Sequence, residues 1–225
     1  MRVAALISGG KDSSLALYRA IKMGLYVECL ATVIPKREDS LLFHYPNINL
    51  TSLFAKASGI PLKKTVSNSR SEKEEINDLK NLLRDLDVEG VVSGVISSSF
   101  QKQRIDRVCW ELGLESITPL WQVDPMKLMN EIVSSGFDTI ITGVYAYGLG
   151  ENWLGRKIDE QSLKELVEVA KKFNISLVGE GGEYETFVTD APFFNKRIRI
   201  LEAETFWKGC AGSLMIKQAT LVDKR

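Results

Sequence analysis

Short apolar runs alternate with longer segments of helical periodicity through the first half of the chain. The apolar runs end at glycine, proline or polar residues and predict buried strands at residues 3–7, 27–34, 62–66 and 90–95. Between them, apolar positions recur at three- and four-residue spacing and predict helices at residues 13–23, 50–58, 72–86 and 98–112. This alternation indicates βαβ units, a parallel sheet and right-handed crossovers.

The second half of the chain shows a different order of predicted elements. Its pattern predicts helices at residues 126–134 and 160–172, a strand at 139–142, and two longer strands at 197–204 and 213–223 with a turn at 209–212. We therefore expect an α/β fold with a Rossmann-like parallel sheet, followed by a smaller α+β domain. The boundary is expected near Pro119, which divides the chain into residues 1–118 and 119–225.

Composition narrows the class of protein. Lysine plus arginine and aspartate plus glutamate number 29 each, so the chain is neutral overall, which argues against direct nucleic acid binding. Cys29, Cys109 and Cys210 are far apart and form no CxxC pair, as expected for reduced thiols in a cytosolic protein. The apolar start is too short for a signal peptide, and no run reaches membrane-spanning length. We expect a cytoplasmic protein without a membrane partner; no pattern indicates an oligomeric state.

Candidate chemistry begins where the first strand ends. Residues 8–14 read Ser8-Gly9-Gly10-Lys11-Asp12-Ser13-Ser14, and a helix follows directly. Two glycines allow a tight turn and close approach to an anion, and the helix N-terminus adds N–H donors and partial positive charge. The string is neither GxGxxG nor a Walker A loop, since Ala5 stands where Walker A needs glycine. A plain helix cap after a glycine turn is the alternative.

The string SGGKDS resembles the signature of the PP-loop ATP pyrophosphatases, which belong to the adenine-nucleotide α-hydrolase-like fold. The resemblance implies that ATP is cleaved to AMP and pyrophosphate, with the nucleotide held by the whole of residues 8–14. It implies that Gly9, Gly10, Ser13 and Ser14 bind the pyrophosphate. Lys11 and Asp12 are the implied catalytic residues: Lys11 stabilises charge on the leaving group and Asp12 helps to hold Mg²⁺.

Further strings narrow the resemblance. They are the sequence His44-Tyr45-Pro46-Asn47, the strand-end Gly94, the helix pair Gln101 and Arg104, the sequence Trp153-Leu154-Gly155-Arg156, and residues 179–186, which read GEGGEYET. In this order they are similar to the diphthine–ammonia ligases, which complete diphthamide on translation elongation factor two. The resemblance spans nearly the whole chain; larger relatives carry additional C-terminal domains, which we do not expect in this protein.

The resemblance implies an ATP-dependent amidation. The diphthine carboxylate attacks the α-phosphate to give an acyl adenylate and pyrophosphate, and ammonium nitrogen then displaces AMP. Gly94 and Arg104 are implied nucleotide contacts. The implied substrate contacts are His44, Gln101, Trp153, Arg156, Glu180, Glu183, Tyr184 and Glu185. Free ammonium is the expected nitrogen source because no glutaminase-like Cys–His pair is visible.

Each of these residues also has a plainer interpretation. His44, the only histidine, could be a surface residue, and Gly94 a turn glycine. Arg104 could pair with a protein carboxylate, and Trp153 could belong to the core. Glu180, Glu183 and Glu185 could form a solvated turn. Because diphthine carries a trimethylammonium group, we also consider the hypothesis that Trp153 or Tyr184 receives it beside a glutamate.

Three other functions fit parts of the sequence. An RNA-modifying PP-loop enzyme, such as a tRNA thiolase or lysidine synthase, would use a basic surface, and thiolases usually need clustered cysteines. An amide ligase for a small acid would share the adenylation chemistry but not the acceptor. A non-catalytic nucleotide sensor would bind ATP or AMP without turnover. Turnover of ATP to AMP separates the enzymes from the sensor, and the acceptor separates the enzymes from one another.

Overall fold

A computed structural model describes residues 1–35, 47–68 and 71–224. The chain divides into two compact units, Met1–Trp121 and Gln122–Arg225. The boundary expected near Pro119 lies within a few residues of this division. Among the described residues, no helix combines the length and apolar character needed to cross a bilayer.

The first unit is a five-stranded parallel sheet with helices between its strands. Its elements in chain order are β1 Arg2–Leu6, α1 Lys11–Lys22, β2 Tyr26–Pro35, α2 Thr51–Ser58, β3 Leu62–Ser67, α3 Glu72–Arg84, β4 Gly90–Val92, α4 Ser99–Leu112 and β5 Glu115–Ile117, with a 3-10 turn Asn47–Leu50 before α2. The strand order is β3-β2-β1-β4-β5, and every neighbouring pair is parallel. The predicted Rossmann-like α/β class is confirmed.

Two details of this sheet differ from the prediction. The strand predicted at residues 90–95 ends at Val92, because the chain then turns away toward α4. β5 has only three residues and was not predicted, since so short a run shows no periodicity. β5 completes the edge of the sheet through three residue pairs with β4, which are Gly90↔Glu115, Val91↔Ser116 and Val92↔Ile117.

Apolar side chains of α3 and α4 pack on one face of this sheet. Val91 and Ala4 face them from neighbouring strands, and Leu79, Leu83 and Val108 are buried against these strands. The helices start and stop where their sequences allow. Ser71 and Ser98 each accept a hydrogen bond from the first turn of the helix that follows. Gly113 ends α4 in the left-handed conformation.

The order of the strands fixes where a ligand can bind. From β1 the chain moves outward through β2 to β3, and it then returns to place β4 on the other side of β1. The connections after β1 and β4 therefore diverge, which leaves a crevice at the carboxyl ends of these two strands. Residues 7–10 follow β1 and residues 93–98 follow β4, so both lie at this crevice.

The second unit has a four-stranded antiparallel sheet. Its elements are α5 Pro125–Ser134, β6 Asp138–Val144, α6 Glu160–Phe173, β7 Tyr184–Asp190, β8 Lys196–Lys208 and β9 Ala211–Asp223, with a 3-10 turn Glu151–Trp153 before α6. The strand order is β7-β6-β9-β8. The predicted helices and the hairpin of β8 and β9 are confirmed. β7 was missed because its first residues belong to the glycine- and glutamate-rich string, which suggests a turn.

We predict that Leu79→Ala lowers the free energy of unfolding of the first unit by about 2–5 kcal/mol, because Leu79 is buried between α3 and the sheet and its loss leaves a cavity. Denaturant unfolding monitored by circular dichroism measures this effect. Trp110→Ala is the control: Trp110 is 80% exposed on α4, and its loss should change stability by less than about 0.5 kcal/mol. Equal destabilisation by both variants would contradict the described core.

Candidate active site

The loop between β1 and α1 has the backbone of an anion site. Gly9 has a φ of 87°, a left-handed conformation that a side chain would disfavour. Gly10 is the N-cap of α1, and no side chain caps that helix end. Because α1 runs for twelve residues from Lys11, its dipole directs partial positive charge toward the loop. The loop therefore suits phosphate oxygens.

The loop's hydroxyl groups hold its shape. Ser8 and Ser13 are joined through their Oγ atoms at 3.1 Å, and the Gly10 N–H donates to the Ser8 Oγ at 3.3 Å. The Ser14 hydroxyl donates to the Gly10 carbonyl at 2.7 Å and is fully buried. Ser14 thus braces the loop from within, whereas Ser8, Gly10 and Ser13 stay partly exposed. The phosphate contacts expected of these residues stay predictions.

Lys11 and Asp12 form an ion pair at the start of α1. The Lys11 Nζ lies 2.9 Å from the Asp12 Oδ2. The Lys11 side chain is almost entirely buried, whereas the Asp12 side chain is 31% exposed. A nearby carboxylate offsets part of the electrostatic cost of burying an ammonium group. The pair therefore holds one positive and one negative group in place beside the loop.

Gly94 connects the two sides of the crevice. A Cβ atom built on Gly94 would lie 2.7 Å from both the Asp12 carbonyl carbon and the Ser13 nitrogen. The backbone after β4 is therefore pressed against the first turn of α1, and only glycine leaves room for this approach. Gly94 follows the end of β4 by two residues and lies beside the first turn of α1. The nucleotide contact expected of Gly94 stays a prediction.

Ser93, which sequence reasoning missed, precedes Gly94 at the same edge. Its side chain is buried, and its Oγ has no hydrogen-bond partner among the described residues. A buried hydroxyl without a partner is uncommon and often marks a functional position. The signal that could have found it is a hydroxyl directly after a buried strand that ends at the crevice.

The helix pair Gln101 and Arg104 lies in the first turns of α4. The Gln101 N–H donates to the Ser98 Oγ, which caps the helix. The Arg104 guanidinium is paired with Glu72 of α3 and also donates to the Phe100 carbonyl at 2.8 Å. The structure thus agrees with the plainer interpretation of Arg104, in which it pairs with a protein carboxylate. The nucleotide contact of Arg104 stays a prediction. His44 lies outside the described residues.

Trp153 and Arg156 form a packed pair in the second unit. Trp153 is 5% exposed, and the Arg156 guanidinium carbon lies 4.6 Å from the centre of its ring. Arg156 is also paired with Glu165 of α6. Hydrogen bonds from Arg156 and then Gln161 lower the pKa of Glu165 from 4.5 to about 2. The Arg156 guanidinium is thus held by two protein groups, the Trp153 ring and the Glu165 carboxylate.

The glutamates of residues 179–186, called the acidic string below, have different surroundings. Glu183 turns back, and its Oε1 accepts a hydrogen bond from the Ser176 N–H at 2.9 Å. The Tyr184 ring is 3% exposed, and its hydroxyl donates to the Leu177 carbonyl at 2.7 Å. Glu180 and Glu185 are half-buried, and Glu185 lies within β7 rather than in a turn. The plainer interpretation, in which these glutamates form a solvated turn, is therefore wrong for Glu183 and Glu185.

These positions correct the trimethylammonium hypothesis. Trp153 and Tyr184 are both buried, and Arg156 already lies over the ring of Trp153. A trimethylammonium group needs an open aromatic face. Neither ring offers one, so the hypothesis fails for these two residues. Other substrate contacts of Trp153, Arg156, Glu180, Glu183, Tyr184 and Glu185 stay predictions.

The first unit has a parallel sheet, a glycine-rich loop at the point where the strand order reverses, and a buried lysine beside that loop. These features define a nucleotide-binding α/β protein. Family models narrow the class. The model for the diphthamide synthase N-terminal domain matches residues 1–116, and the model for the C-terminal domain matches residues 124–222. The chain belongs to the diphthamide synthase family.

Curated relatives agree with this membership. A diphthine–ammonia ligase of Schizosaccharomyces pombe is 37% identical over 91% of this chain, and a human diphthine–ammonia ligase is 35% identical over the same share. The chain covers 37% of the length of the yeast protein and 84% of the human one. A solved structure described as a predicted subunit of tRNA methyltransferase from Methanocaldococcus jannaschii matches at 20% identity and a TM-score of 0.48, with 85% of this chain and 98% of that chain covered.

We predict that Gly94→Ala weakens ATP binding at least about tenfold, because the new methyl group would displace the first turn of α1. Isothermal titration calorimetry with ATP measures the change. The control is Gly24→Ala: Gly24 has a φ of 78° with open space around it, so alanine strains the backbone far from the loop. That variant should lose about 1 kcal/mol of stability and keep its ATP affinity. Unchanged affinity in Gly94→Ala would contradict the close packing.

We also predict an acid-labile contribution of the Arg156–Glu165 pair to the second unit. Because the pKa of Glu165 is lowered on folding, the pair's stabilisation is complete above about pH 4.5 and is lost as the pH falls toward 2. Urea unfolding at pH 5, 4 and 3 should show a shallower loss of stability in Glu165→Gln than in wild type. Glu168→Gln, on the same helix, leaves the pair intact and should keep the wild-type slope. Identical slopes in all three proteins would refute this contribution.

Proposed function

We propose that this protein is an ATP-dependent acid–ammonia ligase that converts diphthine on translation elongation factor two to diphthamide. Membership of the diphthamide synthase family supports the acceptor, and the curated relatives carry the name of this activity. The observation that carries the chemistry is the phosphate loop, held at the switch point by the close contact of Gly94 with α1.

The reaction balances in two steps. A carboxylate oxygen of diphthine attacks the α-phosphorus of ATP, a P–O bond forms, and the bond to the pyrophosphate oxygen breaks. Ammonia then attacks the acyl carbon, AMP leaves with the former carboxylate oxygen, and a proton is released. Adenylation is required because an unactivated carboxylate has a poor leaving group, and the mixed anhydride turns one hard step into two easier ones.

The loop acts on the charge that develops during the first step. Negative charge accumulates on the departing pyrophosphate, and the helix N-terminus and the Lys11 ammonium are suited to stabilise it. Because Lys11 is buried and paired, it needs no rearrangement to act, and preorganised charges of this kind are the effective ones. Gly9 and Gly10 allow the phosphate oxygens to approach the backbone closely.

Magnesium fits this site through Asp12. Among the described residues, no group of three or more carboxylate, histidine or cysteine side chains could form a protein metal cage. Mg²⁺ in nucleotide sites usually takes only one or two protein carboxylates and fills its shell with phosphate oxygens and water. The partly exposed Asp12 carboxylate would supply one such ligand beside the loop. The ion would screen the charge of the phosphate oxygens.

The remaining assignments belong to the same proposal. Nucleotide contacts extend from the loop to Gly94 and Arg104, and Ser93 joins them as a buried hydroxyl at the same edge. Free ammonium supplies the nitrogen, and the protein acts in the cytoplasm. Cys29 and Cys109 are buried and Cys210 belongs to the other unit, an arrangement that does not favour the thiolase alternative.

The decisive test mixes the protein with ATP, Mg²⁺, ammonium and elongation factor two bearing diphthine, omits each in turn, and separates nucleotides by chromatography. We expect AMP and pyrophosphate only from the complete mixture. AMP without the elongation factor would indicate a different acid acceptor or uncoupled hydrolysis. ADP as the product, or no turnover, would refute the proposed ligase.

In the same assay, we predict that Lys11→Met lowers kcat at least about 100-fold, because it removes the buried positive charge that we propose stabilises the leaving group. Lys22→Met is the matched control: Lys22 lies at the other end of α1 and is exposed, so its loss should leave kcat within about twofold of wild type. Equal activity of the two variants would exclude the assigned role of Lys11.

A further inference from the structure

An exposed aromatic ring lies over a glycine at the end of β6. A Cβ atom built on Gly143 would lie 2.7 Å from two atoms of the Tyr145 side chain, Cε2 and the hydroxyl oxygen. The tyrosine ring therefore lies directly over Gly143. This position of the ring requires glycine at residue 143, since any side chain there would push the ring away.

The strand pairing brings Glu185 to the same face. In the antiparallel ladder of β6 and β7, Gly143 is opposite Glu185, and Val144 is opposite Tyr184. Opposite residues project to one face with Cβ atoms about 5 Å apart. Val144 and Tyr184 are buried on one face, so Gly143 and Glu185 belong to the other. The Glu185 carboxylate thus projects from the face that carries the Tyr145 ring.

The surroundings hold this arrangement in place while leaving the ring accessible. The Tyr145 N–H donates to the Glu183 carbonyl at 2.9 Å, which ties the start of the loop to the acidic string. The Tyr145 side chain is nevertheless 44% exposed. A partly exposed aromatic ring and a carboxylate on the same face of the sheet suit a quaternary ammonium group, which has no N–H to donate and is bound by ring faces and negative charge.

We propose that Tyr145 and Glu185 bind the trimethylammonium group of the acceptor. This inference rests on the proposed function, because diphthine supplies the quaternary ammonium. Tyr145 and Glu185 thus take the trimethylammonium-binding role that Trp153 and Tyr184 cannot fill because they are buried. This pair contributes affinity and selectivity for the methylated acceptor and takes no part in the chemistry at the carboxylate.

The test compares two forms of elongation factor two, one with diphthine and one with the unmethylated amine precursor. AMP formation gives KM for the methylated form, and competition gives Ki for the unmethylated form, so the measurement does not depend on turnover of the latter. For wild type we expect Ki to exceed KM about tenfold. Tyr145→Ala should raise KM about tenfold, bring the ratio near one and leave kcat within about twofold. Tyr145→Phe, which keeps the ring, should retain the wild-type ratio.

Glu185→Gln preserves the shape of the side chain and should lower the ratio of Ki to KM several-fold. This variant provides the test if Tyr145→Ala does not fold. Tyr147→Ala is the matched control: Tyr147 is 77% exposed on the same loop, but its ring contacts Phe173, so the ratio should not change. A wild-type ratio in Glu185→Gln and in folded Tyr145→Ala would overturn the inference while leaving the ligase intact. No AMP from wild type with the diphthine acceptor would overturn the proposed function, and this inference with it.

Discussion

The approach of two backbone segments at Gly94 is the constraint on which the nucleotide half depends. The first turn of α1 and the chain after β4 meet so closely that a methyl group cannot fit between them. This contact fixes the helix N-terminus at the point where the strand order reverses. The helix dipole, the glycine turn and the buried lysine can act on one ligand because they are held together there.

The polar groups around that contact show how the site combines stability with function. Ser14 is committed to the loop's own carbonyl, and Lys11 is committed to Asp12. Groups tied in this way lose little entropy on ligand binding, which favours electrostatic stabilisation of a transition state. The Ser93 hydroxyl is the exception, because it is buried beside the site with no partner among the described residues. Its unmet hydrogen-bonding capacity is consistent with a site that is completed by nucleotide.

Much of the architecture could be predicted from the sequence, because buried parallel strands and amphipathic helices carry strong periodic signals. The elements that were missed have weak ones. β5 is too short to show a period, and β7 begins within a string whose glycines suggest a turn. Side-chain partners were harder still. The pairing of Arg104 with Glu72 joins α4 to α3, and sequence spacing does not reveal a contact between separate helices.

The acidic string shows why identical residue types in one segment need separate explanations. Gly181 leaves room for the Glu183 carboxylate to fold back: a Cβ atom there would lie 2.8 Å from its Oε1, the atom that accepts from Ser176. Glu183 therefore shapes the loop. Two residues later the chain has entered β7, where alternation turns Tyr184 into the core and Glu185 to the opposite face. A string of glycines and glutamates thus builds a loop and then places one glutamate on the face of the sheet that carries the Tyr145 ring. The environment of each glutamate therefore depends on its position in the strand ladder.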